Sequence, residues 1–240
     1  MSIILVSFIV FFLSIIQSII GVGLLVFGTP TLIMLGYSFQ DTLATILPPS
    51  ILISLLQVID SPATDGSFRR DFNRYCLPFV LLGIVIVLIA KDKIDLKYCI
   101  GIMLVLSALI RFVPAFENFF FYLIKRYGKL YLVLMGCVHG LTNMGGGLLS
   151  LFSGSIHQKD KIATRSGIAY GYLLMGIIQY LTLIIYNTNL ISSKTLSFAI
   201  IAPVTYLALG KKLFIITREE VFHRLITIII LVYGIMLILK

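Results

Sequence analysis

Apolar residues in this chain fall into long runs separated by short polar stretches, and eight such segments can be drawn. They cover about residues 3–36, 43–59, 75–90, 96–113, 130–156, 162–186, 196–209 and 222–239. Several reach about 17 residues or more, long enough for a helix to cross the roughly 30 Å hydrocarbon core of a bilayer. The pattern therefore predicts an all-α polytopic membrane protein. The first segment is too long for one simple span, since about 33 helical residues would reach roughly 50 Å. It is interrupted at Gly21-Val22-Gly23-Leu24-Leu25 and the fifth at Gly145-Gly146-Gly147-Leu148-Leu149, and each break is followed by a turn, Asp41-Thr42-Leu43-Ala44-Thr45 or Asp160-Lys161-Ile162-Ala163-Thr164.

The two patterns lie about 120 residues apart, half the chain. Residues 1–120 and 121–240 are thus expected to be two homologous repeats within one integral membrane domain, each with about four hydrophobic segments, the first broken at glycines. Lys91 to Asp95 is read as a polar connector in the first half, and the stretch from Gly210 to Arg224 as its counterpart in the second. Interrupted helices at matching places in two halves are a sequence pointer to a transporter's binding site.

Composition agrees with the membrane reading. The chain is 59% hydrophobic and 12% charged, with a mean hydropathy of +1.07, far from soluble composition. The start Met1-Ser2-Ile3-Ile4 lacks a basic leader region, so no removable signal is expected. Net charge is +9, but the basic residues sit in short loops, where they set orientation rather than bind nucleic acid. If all eight segments cross, the 19 Lys and Arg divide almost evenly between the two sides. If both broken segments are re-entrant, fourteen share one side, among them Arg69, Lys125, Lys161, Arg165, Lys211 and Arg224. The positive-inside rule favours the re-entrant arrangement, an inverted repeat with its basic loops cytoplasmic in the cell membrane. Cys76, Cys99 and Cys137 form no metal or disulfide spacing and read as small core residues.

The glycine breaks carry the candidate chemistry. A stretch that unwinds exposes backbone N–H groups needing partners inside the membrane, and a helix N-terminus facing a cavity favours an anion. The bland alternative is close helix packing at Gly21, Gly23, Gly145, Gly146 and Gly147. Beside the breaks stand the polar residues Gln17, Ser18 and Thr29 in the first half, and Thr142, Asn143 and Ser150 in the second; Gln17 and Thr29 read as donors to a ligand, and Thr142 and Asn143 either as caps of the new helix or as such donors. His139 reads as a satisfied structural group or a proton carrier. Pro48-Pro49-Ser50 lies inside the second apolar run, where proline frees carbonyls, and Pro49 and Ser50 are taken as a further part of the site. Ser54, Gln57, Ser166 and Gln179 are lesser polar candidates, and Asp41 and Asp160 read as helix-initiating caps.

No nucleotide, metal or hydrolase motif is present, so no cofactor, metal or catalytic residue is expected. No carboxylate pair sits within a span, which disfavours a cation exchanger. Taken together, Gly21-Val22-Gly23 with Gly28-Thr29-Pro30, Gly136 to Gly147, the two Ala-Thr turns and the closing stretches 95–111 and 218–239 resemble the sulfite exporter TauE/SafE family, also called the sulfonate-uptake permease family. The resemblance spans nearly the whole chain. It implies a secondary, ATP-independent transporter of small anions such as sulfite or sulfonates, working by alternating access. A small anion and the lipid bilayer are the expected partners, and a homo-oligomer is compatible with such a chain. The alternatives are a non-transporting helical scaffold or assembly subunit and, less compatible with residue spacing, an intramembrane enzyme using His139 and Cys137.

Overall fold

A computed structural model of the protein describes residues 3–61, 65–90, 96–158, 160–190, 192–217, 235, 236 and 239. The described elements are all helical: α1 (Ile3–Ile20), α2 (Leu24–Met34), α3 (Phe39–Asp60), α4 (Gly66–Tyr75), α5 (Leu77–Ala90), α6 (Leu96–Phe112), α7 (Pro114–Thr142), α8 (Gly146–Ile156), α9 (Lys161–Tyr186), α10 (Ser193–Thr205) and α11 (Lys211–Ile216). Among the described residues five stretches are long and apolar enough to cross a membrane: Ile3–Ile20, Phe39–Asp60, Gly66–Ala90, Lys161–Tyr186 and Thr195–Ile216. Helices α2 and α8 are apolar but shorter. Large side chains such as Ile4 and Ile185 are 80% and 84% exposed. On a chain of this hydropathy that belt faces lipid.

Both broken segments reverse direction. Gly28 on α2 packs against the side chain of Leu13 on α1, and Gly23 lies against the backbone of Leu13 and Gln17. Helix α2 thus runs back beside α1. In the second half Tyr131 Oη donates to Leu148 O at 2.9 Å, and the Tyr131 ring stacks on Phe152 at 5.9 Å. Helix α8 therefore runs back beside α7. These are two helical hairpins, and they open at opposite ends of the molecule. Met34 at the end of α2 leads directly into the start of α3. Phe152 near the end of α8 instead meets Phe68, just beyond the end of α3, at 5.5 Å.

Local chemistry explains where the helices begin. Ser38 caps α3 by accepting from the Asp41 N–H at 3.0 Å, and Asp160 caps α9 by accepting from the Ala163 N–H at 2.7 Å. The expected capping role therefore holds for Asp160, whereas Asp41 sits one turn inside its helix and accepts from the Ser38 hydroxyl at 2.6 Å. Proline at the first position starts α7, which is interrupted at Tyr127 by non-helical backbone (φ −128°, ψ 35°). Pro48 and Pro49 are accommodated within a continuous α3.

Three boundaries differ from the hydropathy reading. The second break is Asn143 to Gly145, and Gly146 and Gly147 lie inside α8. The third apolar segment is preceded by the amphipathic α4, which buries Phe68 and Phe72 while carrying Arg69, Arg70 and Arg74. The stretch from 210 is no polar connector at its start, because a π-helical turn at Tyr206–Gly210 continues into α11. The connector 91–95 and all of the eighth segment but residues 235, 236 and 239 lie outside the described residues.

Helix α7 packs on α5 through small residues, as expected where lipid removes the hydrophobic drive for association. Gly140 meets the Val80 carbonyl and lies so near Gly83 that a Cβ there would stand 2.9 Å from the Gly83 Cα, and Gly136 meets the Cys76 carbonyl. Gly140→Leu is expected to lower stability by about 1–3 kcal/mol through overpacking. Thermal unfolding in detergent checks this, and an unchanged midpoint would refute the close α5–α7 contact.

Candidate functional site

The first hairpin is tied at its tip by one glutamine. Gln17 is fully buried, and its Oε1 accepts from the Leu24 N–H, the first residue of α2, at 3.1 Å. Its Nε2 donates to Ser50 Oγ and Ser54 Oγ, each at 3.2 Å. Gln57 Nε2 donates to the Gln17 carbonyl at 2.9 Å. One side chain from α1 thus caps the returning helix, while α3 satisfies a carbonyl near the end of the outgoing one.

The second hairpin repeats this bonding with different chemistry. His139, buried on α7, accepts through Nδ1 from the Gly145 N–H at 3.2 Å. Gln179 Nε2 on α9 donates to the His139 carbonyl at 3.2 Å. The Gly21 N–H bonds to the Gln17 carbonyl and the Asn143 N–H to the His139 carbonyl, both at 2.8 Å. Gly21 and Asn143 both adopt left-handed backbone, at φ 85° and 61°. Gly23 and Gly145 are the N-cap residues of α2 and α8, and each lies too close to the preceding helix for a side chain. The pairs Gln17 and His139, Gln57 and Gln179, Gly21 and Asn143, and Gly23 and Gly145 share one offset of 122 residues, whereas the capped N–H moves from Leu24 to Gly145, one residue earlier in the second hairpin. Matching glycine to glycine in the sequence instead paired Gly21 with Gly145. Asparagine tolerates the left-handed region, so it stands where the first half has glycine.

The two tips meet. Asn143 Nδ2 donates to Thr29 Oγ1 at 2.9 Å, and a Cβ on Gly146 would lie 2.7 Å from the Val26 side chain and collide with the Tyr172 hydroxyl. The N-terminal turns of α2 and α8 therefore face one another inside the protein, in contact rather than across an open cavity. Their N–H groups at Leu25, Val26, Gly146 and Gly147 precede the first intrahelical carbonyl acceptors. With Nδ1 accepting, the neutral His139 ring carries its hydrogen on Nε2, which is buried without a partner.

The remaining candidates divide. Thr29 and Thr142 donate their hydroxyl hydrogens to Leu25 O and Val138 O, each at 2.7 Å, so these hydroxyls are acceptors toward a ligand, not the donors expected. Ser150 donates to Gly147 O at 2.7 Å on its own helix. Pro49 and Ser50 are buried on α3, with Ser50 holding Gln17. Two groups escaped the sequence reading. Arg165, counted among loop cations, is buried at 7% exposure. Tyr172 is buried against Gly146. The shared spacing from Gln57 to Gln179 was the overlooked signal for the paired carbonyl caps.

The model of one protein family, described as Sulfite exporter TauE/SafE, matches residues 6–237. The chain belongs to the sulfite exporter TauE/SafE family. No curated protein and no solved structure gives a significant match. At family level, membership of TauE/SafE makes this an integral membrane protein of a transporter family associated with sulfite and other small anions, not of an enzyme family. The opposed hairpins are the part of this TauE/SafE chain that places polar backbone within an apolar interior.

Two substitutions separate backbone from side-chain roles at the tips. Gly21→Val forces a β-branched residue into the left-handed region and is expected to cost about 1–3 kcal/mol, while Asn143→Gly keeps the fold. Gln179→Leu strips the donor from the buried His139 carbonyl and is expected to cost about 1–3 kcal/mol. Unfolding midpoints of the purified variants check all three. A Gly21→Val protein as stable as the parent would contradict the assigned backbone.

Proposed function

We propose that this protein is a secondary, ATP-independent transporter of small sulfur-containing anions, sulfite or a sulfonate, which bind between the facing N-termini of α2 and α8. The observation that carries the reading is the Asn143–Thr29 contact, which brings two helix starts from oppositely directed hairpins to one buried place. Each helix start is equivalent to roughly +0.5 charge, so the pair supplies about one positive charge without a buried lysine or arginine. Leu25, Val26, Gly146 and Gly147 offer backbone N–H groups, and Asn143 Nδ2 and His139 Nε2 offer side-chain donors.

The remaining residues hold these donors in place. Gln17, backed by Ser50, positions α2; Gly21 and Gly23 turn the chain back, as Gly145 does in the second hairpin. Thr29 and Thr142 fix Asn143 and the turn beside it. Gly147 and Ser150 shape the first turns of α8, and Pro49 frees a carbonyl of α3 beside the cluster. His139 also serves as a proton carrier if transport is proton-coupled.

Residues 1–120 and 121–240 are two inverted repeats in this reading, supported by the offset of 122 residues shared by the matched bonds at both tips. Relative rocking of the two halves would separate the touching tips and admit the anion from alternate sides. Arg69, Lys125, Lys129, Lys161 and Lys211 lie toward the end of the molecule at which α3 finishes, as the contacts of Arg69 with Tyr170 and Lys129 with Tyr75 and the Lys211–Asp60 pair indicate. The positive-inside rule makes that end cytoplasmic in the cell membrane.

Proteoliposomes loaded in turn with sulfite, thiosulfate, sulfoacetate or acetate test the proposal. Selective flux of a sulfur oxyanion is expected, reduced by about tenfold or more in Asn143→Ala through loss of a hydrogen bond to a charged ligand. If His139 carries the proton, His139→Gln abolishes the response to a proton gradient. Folded protein that moves none of the four anions would overturn the assignment. Gly146→Leu is a poor probe, since its side chain would collide with Tyr172 and Val26 whether or not an anion binds.

A further inference from the structure

Outside the facing tips, one strong charge among the described residues lies in the interior. Arg165 stands one turn into α9 and is 7% exposed. One nitrogen of its guanidinium donates to the Ser18 carbonyl at 3.3 Å, and its Cγ borders Gly21, where the first hairpin turns. Its Nε is buried with no hydrogen-bond partner. Among the described residues the Tyr206 hydroxyl interacts with its guanidinium, and Asp60 is the carboxylate that acts on it. That acid is already engaged by Lys211 at 2.6 Å and by the Tyr206 hydroxyl at 2.9 Å. A buried cation whose acid among the described residues is shared in this way is a costly arrangement unless it faces a functional partner.

A lid covers this arginine. The Phe214 ring of α11 lies over the guanidinium with 3.5 Å between its centroid and the Arg165 Cζ. Phe214 is buried while its neighbours Ile215 and Ile216 are 79% and 77% exposed. Lys161 secures the end of α11 by donating to the Phe214 carbonyl at 2.6 Å and the Thr217 carbonyl at 3.1 Å. The helix leading to this lid passes through the π-helical turn at Tyr206–Gly210, a departure often found where a helix changes direction at a functional place.

We infer that Arg165 is an anion receptor on the route between the basic end of the molecule and the facing helix N-termini, and that Phe214 is the gate that covers it. The inference rests on the transport reading above and deepens it. When α11 lifts, the guanidinium fork is uncovered beside Gly21 and takes an oxyanion through its free Nε–H and neighbouring N–H. When α11 closes, Phe214 takes the anion's place over the charge. The second half carries this device alone: the offset of 122 places Leu43 opposite Arg165.

Two readouts test it. The first is modification of Arg165 by phenylglyoxal in the purified protein, mapped by peptide mass spectrometry. Slow modification of the parent and at least roughly tenfold faster modification in Phe214→Ala are expected, corresponding to about 1.4 kcal/mol. Equal rates would remove the gate. The second is sulfite flux into proteoliposomes. Arg165→Gln should raise the half-saturating concentration about tenfold or more, with Arg165→Lys intermediate because it keeps charge but loses the fork. An unchanged half-saturation in a folded Arg165→Gln or Arg165→Lys protein would remove the receptor. So would an equal defect in Glu219→Gln/Glu220→Gln, which would make the arginine a structural ion-pair partner. If the parent moves no anion, the transport reading itself fails and the receptor with it, while the phenylglyoxal rates still decide the gate.

Discussion

A helix that ends inside an apolar interior leaves backbone groups that neither lipid nor its own turns can satisfy. This protein has four such ends, two at each hairpin tip, and much of its buried polar chemistry answers them. Gln57 and Gln179 supply donors to carbonyls where α1 and α7 finish. Gln17 and His139 supply acceptors where α2 and α8 begin. Each cap settles one N–H of a helix start and leaves the next N–H groups without an acceptor in their own helix. Those first-turn donors are the physical basis for proposing the place as an anion site.

The opposed hairpins also determine how the rest of the molecule is arranged. Helix α3 carries the glutamine bonded at the first tip and α9 the one bonded at the second, so any separation of the halves must either preserve or exchange those bonds. Close packing of α5 on α7 through Gly83, Gly136 and Gly140 gives the second hairpin a rigid back. The first hairpin has a different support, the Gln17, Ser50 and Ser54 hydrogen bonds, which a small shift can lengthen at modest cost. Arg165 and Phe214 sit on this more polar side, next to the turn at Gly21. In the proposed transport cycle the gate rests against the adaptable hairpin, with the rigid one opposite.

Much of the architecture was legible in residue order. Runs of Leu, Ile and Val gave the helical membrane class, the over-long first run required a reversal or a steep tilt, and the uneven placement of lysine and arginine favoured hairpins. The glycines marked the breaks to within two residues. Exact register was lost because glycine is not the only residue that adopts left-handed backbone, so Asn143 went unmatched to Gly21. Thr29 and Thr142 were misjudged as donors because a threonine inside a helix gives its hydrogen to the carbonyl four residues back, a competition the sequence does not display. Arg165 was invisible for another reason: burial one turn into α9 depends on where α1 and α11 pack, which no local pattern encodes.

The central claim is that an anion sits on the backbone N–H groups of α8. The chain contains a single glycine triplet, so Gly146 and Gly147 are the two residues whose amides follow a glycine carbonyl. In protein labelled with 15N and carbonyl 13C glycine, those two amides alone give a carbonyl-coupled signal, which can be followed while sulfite is added. The account predicts that both resonances shift saturably with sulfite and that the shift is lost in Asn143→Ala. Resonances that stay fixed at sulfite concentrations saturating transport would contradict it.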